Sequence, residues 1–249
     1  MKGSRKDLEQ LAVWVQESRR IVFFGGAGVS TESGIPDFRS EDGLYRQHFR
    51  YPPETMLSRT FFNRHPEEFF DFYRKKMVAP EVAPNTAHRV LAKWEQEGRL
   101  EAVITQNIDG LHQKAGNQRV LELHGSVYRN RCMKCARTWP LEKVTESAGV
   151  PRCDCGGIVK PEVVLYEEPL DESVLLGSVR SLQCADLLII GGTSLAVYPA
   201  AGLVQYYGGR RLVLINRSET RMDDEADLCF REKIGEVLGA EEEIRLGKA

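Results

Sequence analysis

The sequence lacks the features that mark a membrane-spanning, nucleic-acid-binding or repetitive protein. Its 249 residues carry a formal net charge of −2 at pH 7, so no basic excess indicates a nucleic-acid partner. The most apolar stretch, 185–204, is interrupted by Asp186, by a glycine pair and by Pro199. It therefore predicts a strand, a turn and a helix, and no membrane partner is expected. We see no internal repeat and no low-complexity segment.

The N-terminal residues also lack the pattern of an export signal. No apolar run follows the charged residues of segment 1–7, so the cytoplasm is the expected location. The chain length is typical of one large domain, or of one domain with a small insert.

Cysteine is scarce, and four of the six cysteines form two close pairs. The pairs are Cys132 with Cys135 and Cys153 with Cys155. Without an export signal, this spacing favours a metal over disulfides, and four thiolates are typical of a structural zinc site. The second pair is one residue shorter than C-x-x-C, which leaves weaker metal binding and oxidation open as alternatives. The other two cysteines, Cys184 and Cys229, are expected to pack in the interior.

Short apolar runs alternate with helical patterns along the chain. We predict five buried strands, at 21–24, 102–105, 120–123, 187–190 and 212–215. Ser4 and Asp7 predict a capping box before a first helix, and Asn85 predicts the cap of another. A last helix is expected around Ile234. These features predict an α/β fold with a Rossmann-like, mostly parallel sheet and helices on both faces.

Two segments interrupt the pattern and are predicted to be inserts. Residues 40–80 are rich in aromatic side chains and predict a helical insert, and residues 126–159 contain the cysteine pairs without helix or strand periodicity. We expect these two inserts to form a small domain. The Rossmann-like domain is then discontinuous, built from 1–39, 81–125 and 160–249.

A glycine turn follows the first predicted strand and leads into a polar helix start. Glycines in that position allow close backbone approach to a phosphate, and a helix N-terminus offers free N–H groups. Gly26 and Gly28 fit the start of the dinucleotide fingerprint G-x-G-x-x-G, but its third glycine falls on Thr31. The segment alone leaves open an ordinary glycine turn.

Polar residues follow other predicted strands in the same way. The segments are 106–112, 124–126, 191–194 and, more weakly, 216–218. Ligands of open α/β sheets bind at the carboxyl ends of strands, so we expect these segments to converge on one site.

This combination resembles the sirtuins, the NAD-dependent protein lysine deacylases, in the form of a small bacterial or archaeal-type catalytic core. The matching segments are GAGVSTESGIPDFR (26–39), TQNIDGLHQKAG (105–116), LHGS (123–126), the cysteine pairs, KPEVVLYEE (160–168), GGTSLAVYPA (191–200) and INRS (215–218). They occur in the family's order over nearly the whole chain.

The resemblance implies a cofactor role for each matching position. The pyrophosphate would be held by Gly26, Ala27, Gly28, Ser30 and Thr31. The flexible cofactor loop would contain Asp37, Phe38 and Arg39, with Phe38 shielding the reactive ribose. The nicotinamide and its ribose would contact Gln106, Asn107, Ile108 and Asp109. The adenosine half would contact Gly192, Thr193, Ser194, Asn216, Lys233 and Ile234.

His124 is the residue that we expect to act as general base, with Asn107 and Asp109 as further catalytic residues. An imidazole titrates near neutrality and can accept a hydroxyl proton without an unusual pKa. His48, His65 and His88 are expected to be structural, and the side chain of His112 to point away from the site.

The resemblance also implies the reaction. The acyl oxygen of a modified lysine attacks the anomeric carbon of NAD as nicotinamide leaves, and an alkylamidate intermediate forms. His124 then deprotonates a ribose hydroxyl, which attacks that intermediate, and water completes the reaction. The products are nicotinamide, O-acyl-ADP-ribose and free lysine, so NAD is a co-substrate and zinc is structural.

The partner is expected to be an acylated protein whose peptide adds as a strand along 163–166, contacting Val164, Leu165 and Tyr166. An ordinary sheet edge is the simpler reading of that segment. Sirtuins that prefer succinyl groups carry Tyr-x-x-Arg in the helical insert, where this chain has Tyr73 and Lys76. Lysine lacks the planar fork of arginine, so deacetylation is expected as the main activity.

Three other functions are weighed against this one. A mono-ADP-ribosyltransferase would use the same pocket with another acceptor and would release nicotinamide without an acyl-peptide. A non-enzymatic NAD-binding module would lack Asn107, Asp109 or His124, and all three are present. A dehydrogenase would need a hydride-transfer substrate domain, which nothing in the sequence resembles.

Overall fold

The structure, a computed structural model, describes residues 3–38, 43–47 and 49–248 of the chain. In those residues the strands are β1 (Ile21–Gly25), β2 (Leu100–Thr105), β3 (Val120–Glu122), β4 (Gly125–Cys132), β5 (Thr138–Trp139), β6 (Val159–Val163), β7 (Leu187–Gly191), β8 (Leu212–Ile215) and β9 (Leu228–Phe230). The α-helices are α1 (Arg5–Glu17), α2 (Pro53–Met56), α3 (Arg59–Arg64), α4 (Pro66–Lys76), α5 (Thr86–Gln96), α6 (Leu111–Ala115), α7 (Glu142–Thr145), α8 (Glu172–Cys184) and α9 (Ile234–Arg245). Short 3₁₀ helices cover Ala27–Val29, Thr31–Ser33, Leu44–Arg46 and Ala200–Tyr206.

Six strands form a parallel sheet in the order β3-β2-β1-β7-β8-β9. The chain first moves outward from β1 through β2 to β3, and then returns to the other side of β1 with β7. Such a reversal opens a crevice at the carboxyl ends of the two central strands, where ligands of this architecture bind. The predicted α/β class and parallel sheet are confirmed.

The central strands are buried on both faces, which explains their unbroken apolar sequences. Ile21 and Phe23 pack with α1, α5 and α9 on one face. Val22 and Phe24 pack with α8 and the 3₁₀ helix Ala200–Tyr206 on the other. All four side chains have no exposed surface, and each contributes on the order of 2 kcal/mol by burial.

The helix starts follow the predicted cap residues. The side chain of Ser4 accepts from the N–H of Asp7 and the carboxylate of Asp7 accepts from the N–H of Ser4, so the capping box is confirmed. Asn85 caps α5 by accepting from the N–H groups of Ala87 and His88. None of the helices in the described part of the chain has the length and apolar character that crossing a bilayer requires.

A second, antiparallel sheet in the order β5-β4-β6 contains the cysteine segment. Residues 126–159 have no strand periodicity in the sequence, yet β4 and β5 lie in this range and pair across the chain reversals around the cysteines. Apolar residues of this sheet, such as Val127 and Val159, share one core with Phe62 and Phe69 of the helical insert. That shared core supports the proposed small domain, whose boundaries stay a prediction.

Three details differ from the expectations or were not among them. No α-helix follows the first glycine turn in the described residues, since two 3₁₀ turns take its place. Strand β9, at the edge of the parallel sheet, was not predicted because it is only three residues long. Cys184, the last residue of α8, is exposed, and Cys229 is only partly buried.

Candidate active site

Two glycine turns meet at the crevice between β1 and β7. The N–H of Gly28 donates to the carbonyl oxygen of Gly192 at 2.8 Å, and the N–H of Gly26 donates to that of Gly191 at 3.2 Å. A Cβ atom on Gly28 would lie 2.7 Å from the Cα atom of Gly192. Position 28 requires glycine because the two backbones are in contact there. This reason adds to the phosphate contact that the sequence predicts.

A network of polar side chains lies beside the first turn. The hydroxyl of Ser30 lies 2.7 Å from Oδ2 of Asp109, and the amide of Asn107 donates to the same hydroxyl at 3.0 Å. The N–H of Leu111 donates to Oδ1 of Asp109 at 2.9 Å. Burial raises the pKa of Asp109, and the bonds from Leu111 and Ser30 oppose that shift. The predicted nicotinamide residues are thus brought together.

The residue before this network links it to the second turn. The side-chain amide of Gln106 donates to the hydroxyl of Thr193 at 3.1 Å. The same hydroxyl accepts from the N–H of Leu195 at 3.2 Å. Polar loops after β2 and β7 therefore converge across β1, as their positions in the sequence predict.

His124 lies between β3 and β4, and its Nδ1 atom is 2.9 Å from the carbonyl oxygen of Gln106. A carbonyl oxygen can only accept, so Nδ1 carries the proton and Nε2 keeps a lone pair. Burial lowers the pKa of His124, against the smaller opposite effect of the bond to Gln106. The imidazole is therefore neutral near pH 7 and able to accept a proton through Nε2.

The predicted adenosine residues are spread along the edge formed by β7, β8 and α9. Ser194 is exposed, Asn216 is partly buried and Lys233 is exposed. Ile234 is only 4% exposed and belongs to the core under the sheet. A contact between Ile234 and the adenine therefore stays a prediction.

Of the predicted cofactor loop, the structure describes Asp37 and Phe38, whereas Arg39 lies outside the described residues, as does His48. The ring of Phe38 is partly buried and meets that of Tyr45 edge-on, with centroids 5.6 Å apart. Ile108 is partly buried against the same small-domain core.

The predicted peptide segment already uses its backbone donors. The N–H of Val164 donates to the carbonyl oxygen of His124 at 2.9 Å, and that of Leu165 donates to the carboxylate of Glu168 at 2.9 Å. The N–H of Tyr166 donates to the carbonyl oxygen of Leu57 at 3.0 Å. An added peptide strand cannot pair with these three groups unless the existing bonds break, because each N–H donates one strong bond.

The predicted site of acyl discrimination does not form a clamp. Tyr73 is fully buried and stacks on Phe69 at 5.7 Å between ring centroids. Lys76 is exposed and donates to the side chain of Gln47 at 2.9 Å. The two side chains thus serve different environments and present no joint carboxylate site.

The four paired cysteines form one cluster despite the shortened second pair. Their sulfur atoms all lie within 4.8 Å of one another, with 3.4 Å between Cys132 and Cys155 and 3.6 Å between Cys135 and Cys153. Zinc–thiolate bonds of about 2.3 Å in a tetrahedron place sulfurs about 3.8 Å apart. The four thiols therefore fit one zinc ion with no open coordination position.

Two other histidines are buried and structural. The rings of His88 and His112 lie 4.7 Å apart between centroids, and burial holds the pKa of His88 at about 4. The imidazole of His112 is 1% exposed and also lies 6.2 Å from the ring of Phe23 between centroids, so it packs in the interior.

Two residues of this region were missed in the sequence. The hydroxyl of Tyr45 lies 2.6 Å from that of Tyr166, and the carboxylate of Glu32 accepts from the N–H of Gly235 at 2.7 Å, at the start of α9. Both contacts join residues far apart in the chain, and no local pattern indicates either.

The comparisons with known proteins agree with this site. A model of the Sir2 family matches residues 26–199. The chain belongs to the Sir2 family. Among its curated relatives, the NAD-dependent protein deacetylase of Clostridium acetobutylicum is 59% identical, covering 93% of this chain and 96% of the relative. That of Clostridium perfringens is 56% identical, covering 93% and 97%.

Solved Sir2 structures share the whole fold. A Sir2 homolog–NAD complex is 38% identical, with a TM-score of 0.88, and covers 100% of this chain and 98% of that chain. A Sir2 variant with a deacetylated p53 peptide and 3'-O-acetyl ADP ribose is also 38% identical, with a TM-score of 0.87 and 100% and 99% coverage. This Sir2 chain thus has the family's parallel sheet together with a four-cysteine cluster.

Proposed function

We propose that this Sir2 chain is an NAD-dependent protein lysine deacetylase that releases nicotinamide, O-acetyl-ADP-ribose and free lysine. The observation that carries the proposal is the neutral imidazole of His124, fixed by Gln106 at the same sheet edge as Asn107 and Asp109. Its relatives in two Clostridium species are named NAD-dependent protein deacetylases.

The polar network suits the nicotinamide half of NAD. A carboxamide needs both a hydrogen-bond acceptor and a donor, and the carboxylate of Asp109 and the amide of Asn107 offer these side by side. Ser30 holds the carboxylate in place at 2.7 Å. Thr31, Ala27 and the turn glycines border the crevice where the pyrophosphate binds, and Thr193 and Asn216 lie on the adenosine side.

The base role of His124 follows from its tautomer. With Nδ1 donating to Gln106, Nε2 accepts the proton of a ribose hydroxyl and the carbonyl of Gln106 stabilises the imidazolium that forms. Burial lowers the pKa of His124 and so favours the neutral base before the transfer.

The substrate is an acetylated protein segment, and its pairing as a strand along 163–166 would have to use the carbonyl oxygens of this segment. The backbone donors of Val164, Leu165 and Tyr166 are occupied, which leaves the exposed ring of Tyr166 and the partly buried side chain of Val164 for contact. The absence of a joint site at Tyr73 and Lys76 supports acetyl over acidic acyl groups.

The cysteine cluster holds structural zinc. Cys132, Cys135, Cys153 and Cys155 supply four thiolates, and the bound ion would lock the reversals that organise the antiparallel sheet. Thiols kept as metal ligands support the cytoplasm as the place of reaction. The small net charge gives no reason to propose a nucleic-acid or membrane partner.

Product analysis tests this function. The zinc-loaded protein is incubated with NAD and a matched set of acetyl-, succinyl- and decanoyl-lysine peptides, and the products are identified by mass spectrometry. We expect unmodified lysine and O-acetyl-ADP-ribose, with the acetyl peptide having the highest kcat/KM. A peptide or protein that gains ADP-ribose while keeping its acyl group would favour the transferase, and succinyl-lysine as best substrate would contradict the acyl preference.

A further inference from the structure

One hydrogen bond joins the two segments assigned to the two substrates. The phenol oxygens of Tyr45 and Tyr166 lie 2.6 Å apart. Tyr45 belongs to the segment that follows Phe38, and Tyr166 belongs to the loop after β6. These residues are separated by 121 positions in the chain, so the bond is a tertiary contact with no local cause.

Tyr166 and the residue after it are held in place by hydrogen bonds to residues 57–60. Its N–H donates to Leu57 and its carbonyl oxygen accepts from the N–H of Arg59, both at 3.0 Å. The next residue, Glu167, has a φ of 73°, which strains a residue with a side chain. Its carboxylate accepts from the N–H of Thr60 at 2.9 Å and from the hydroxyl of Thr60 at 2.7 Å, which holds the strained loop on α3.

The Tyr45 side of the bond follows Phe38 closely. The N–H of Tyr45 donates to the carbonyl oxygen of Phe38 at 2.9 Å, and the N–H of Leu44 donates to that of Asp37 at 2.9 Å. The two aromatic rings also meet edge-on. A displacement of Phe38 therefore moves the ring of Tyr45 and changes the distance between the two phenol oxygens.

The geometry points to the Tyr45–Tyr166 pair as a coupling between the NAD site and the acyl-peptide site. A ligand that holds Phe38 in place favours the position of Tyr45 that bonds Tyr166, and a peptide against Tyr166 favours the same state. Both are positioning residues in this role. Because the coupling joins an NAD site to an acyl-peptide site, it rests on the proposed function.

Thermodynamic linkage sets the form of the effect. If the NAD side tightens peptide binding by some factor, the peptide tightens binding on the NAD side by the same factor. A neutral hydrogen bond contributes about a 2- to 10-fold effect. Removing either hydroxyl breaks the same bond, so the double variant should lose no more coupling than each single variant.

The test measures peptide affinity with and without the NAD-side ligand. Isothermal titration gives the Kd of an acetyl-lysine peptide in the absence and presence of saturating ADP-ribose, for the zinc-loaded protein and for Tyr45→Phe, Tyr166→Phe and the double variant. We expect peptide binding to tighten about 2- to 10-fold with ADP-ribose in the native chain and to lose most of that factor in all three variants. The control is Tyr206→Phe, which removes an exposed phenol of the 3₁₀ helix Ala200–Tyr206.

Three results would overturn the coupling. The native chain could bind peptide equally with and without ADP-ribose, or the variants could keep the native factor. Alternatively, Tyr166→Phe could weaken peptide binding equally in both conditions, which would make Tyr166 a peptide contact alone. Deacetylation by the native chain is measured in parallel. Its absence would refute the proposed function. If the native chain deacetylates the peptide and any of these three results is found, only the coupling is refuted.

Discussion

The imidazole Nδ1 of His124 donates a hydrogen bond to the carbonyl oxygen of Gln106 at 2.9 Å. This bond decides which ring nitrogen is free, and it connects the end of β3 to the polar loop after β2. The orientation of the base is therefore fixed by the backbone of the loop that also presents Asn107 and Asp109.

The pH dependence of the reaction should follow the titration of this imidazole. Burial lowers the pKa of His124, so the folded protein loses the neutral base only below its ordinary pKa of 6.5. We expect kcat/KM for NAD, at saturating acetyl peptide, to fall on the acid side with a midpoint below pH 6.5. An acid limb centred above that value would contradict the assignment.

The contact between the two glycine turns predicts a cost for any side chain. In Gly28→Ala, the new methyl group would lie 2.7 Å from the Cα atom of Gly192, and backbone on both sides leaves no flexible neighbour to yield. Strain of this kind costs about 1–3 kcal/mol, and the KM for NAD should rise as the turns separate. Denaturant unfolding and steady-state kinetics measure the two effects.

Gly208→Ala is the matched control for that substitution. A Cβ atom there meets nothing within 4 Å, so stability and KM should stay near the native values. A Gly28→Ala variant as stable and active as Gly208→Ala would show that the turns tolerate a side chain.

The cysteine cluster predicts one zinc ion per chain. Metal analysis of the purified protein should give about one zinc per chain, and Cys155→Ser should reduce it toward zero because three ligands leave the tetrahedron open. Loss of the metal should also lower Tm, since zinc binding stabilises the folded state.

Cys184→Ser is the control for the cluster, since Cys184 is exposed at the end of α8. Its zinc content should equal that of the native chain. Absence of zinc together with fewer titratable thiols than the sequence contains would instead favour oxidation of the paired cysteines.

A buried carboxyl of α9 predicts a pH-dependent stability. Burial raises the pKa of Glu241 to about 8, although Arg245 opposes the shift. The unfolded chain ionises this group near 4.5, so the folded state loses stability as pH rises from about 4.5 through about 8. Glu241→Gln removes this titration, so its Tm should fall less between pH 5.5 and 9 than the Tm of the native chain. Each kcal/mol of unfolding free energy that the native chain loses through Glu241 corresponds to about 2–4 °C in Tm.

The exposed Glu243 on the same helix supplies the comparison. Thermal unfolding of Glu243→Gln should show the pH dependence of the native chain. Parallel Tm curves for the native chain and Glu241→Gln would show that Glu241 does not titrate in this range.

The strands and helix starts were predictable because their causes are local. The run Ile21–Phe24 is apolar on both faces since the strand is covered twice, and Ser4 and Asn85 cap the helices that follow them. The convergence of Asn107, Asp109 and Thr193 followed from one topological rule about strand ends.

The errors arose where tertiary contacts decide the structure. The glycine turn leads into 3₁₀ turns, because it packs on the backbone of the second glycine turn. The strands around the cysteines pair across chain reversals, and the occupied donors of Val164 and Tyr166 depend on partners elsewhere in the chain. No periodicity in the sequence encodes such partners.

Nicotinamide release tests the central claim most directly. It is measured from NAD with and without an acetyl-lysine peptide, together with peptide deacetylation, for the native chain, for His124→Ala and for the control His65→Ala, whose ring is partly exposed on the helical insert. We predict peptide-dependent release coupled to deacetylation in the native chain and in His65→Ala, with deacetylation lost in His124→Ala. Release that needs no peptide, or full deacetylation by His124→Ala, would contradict the account.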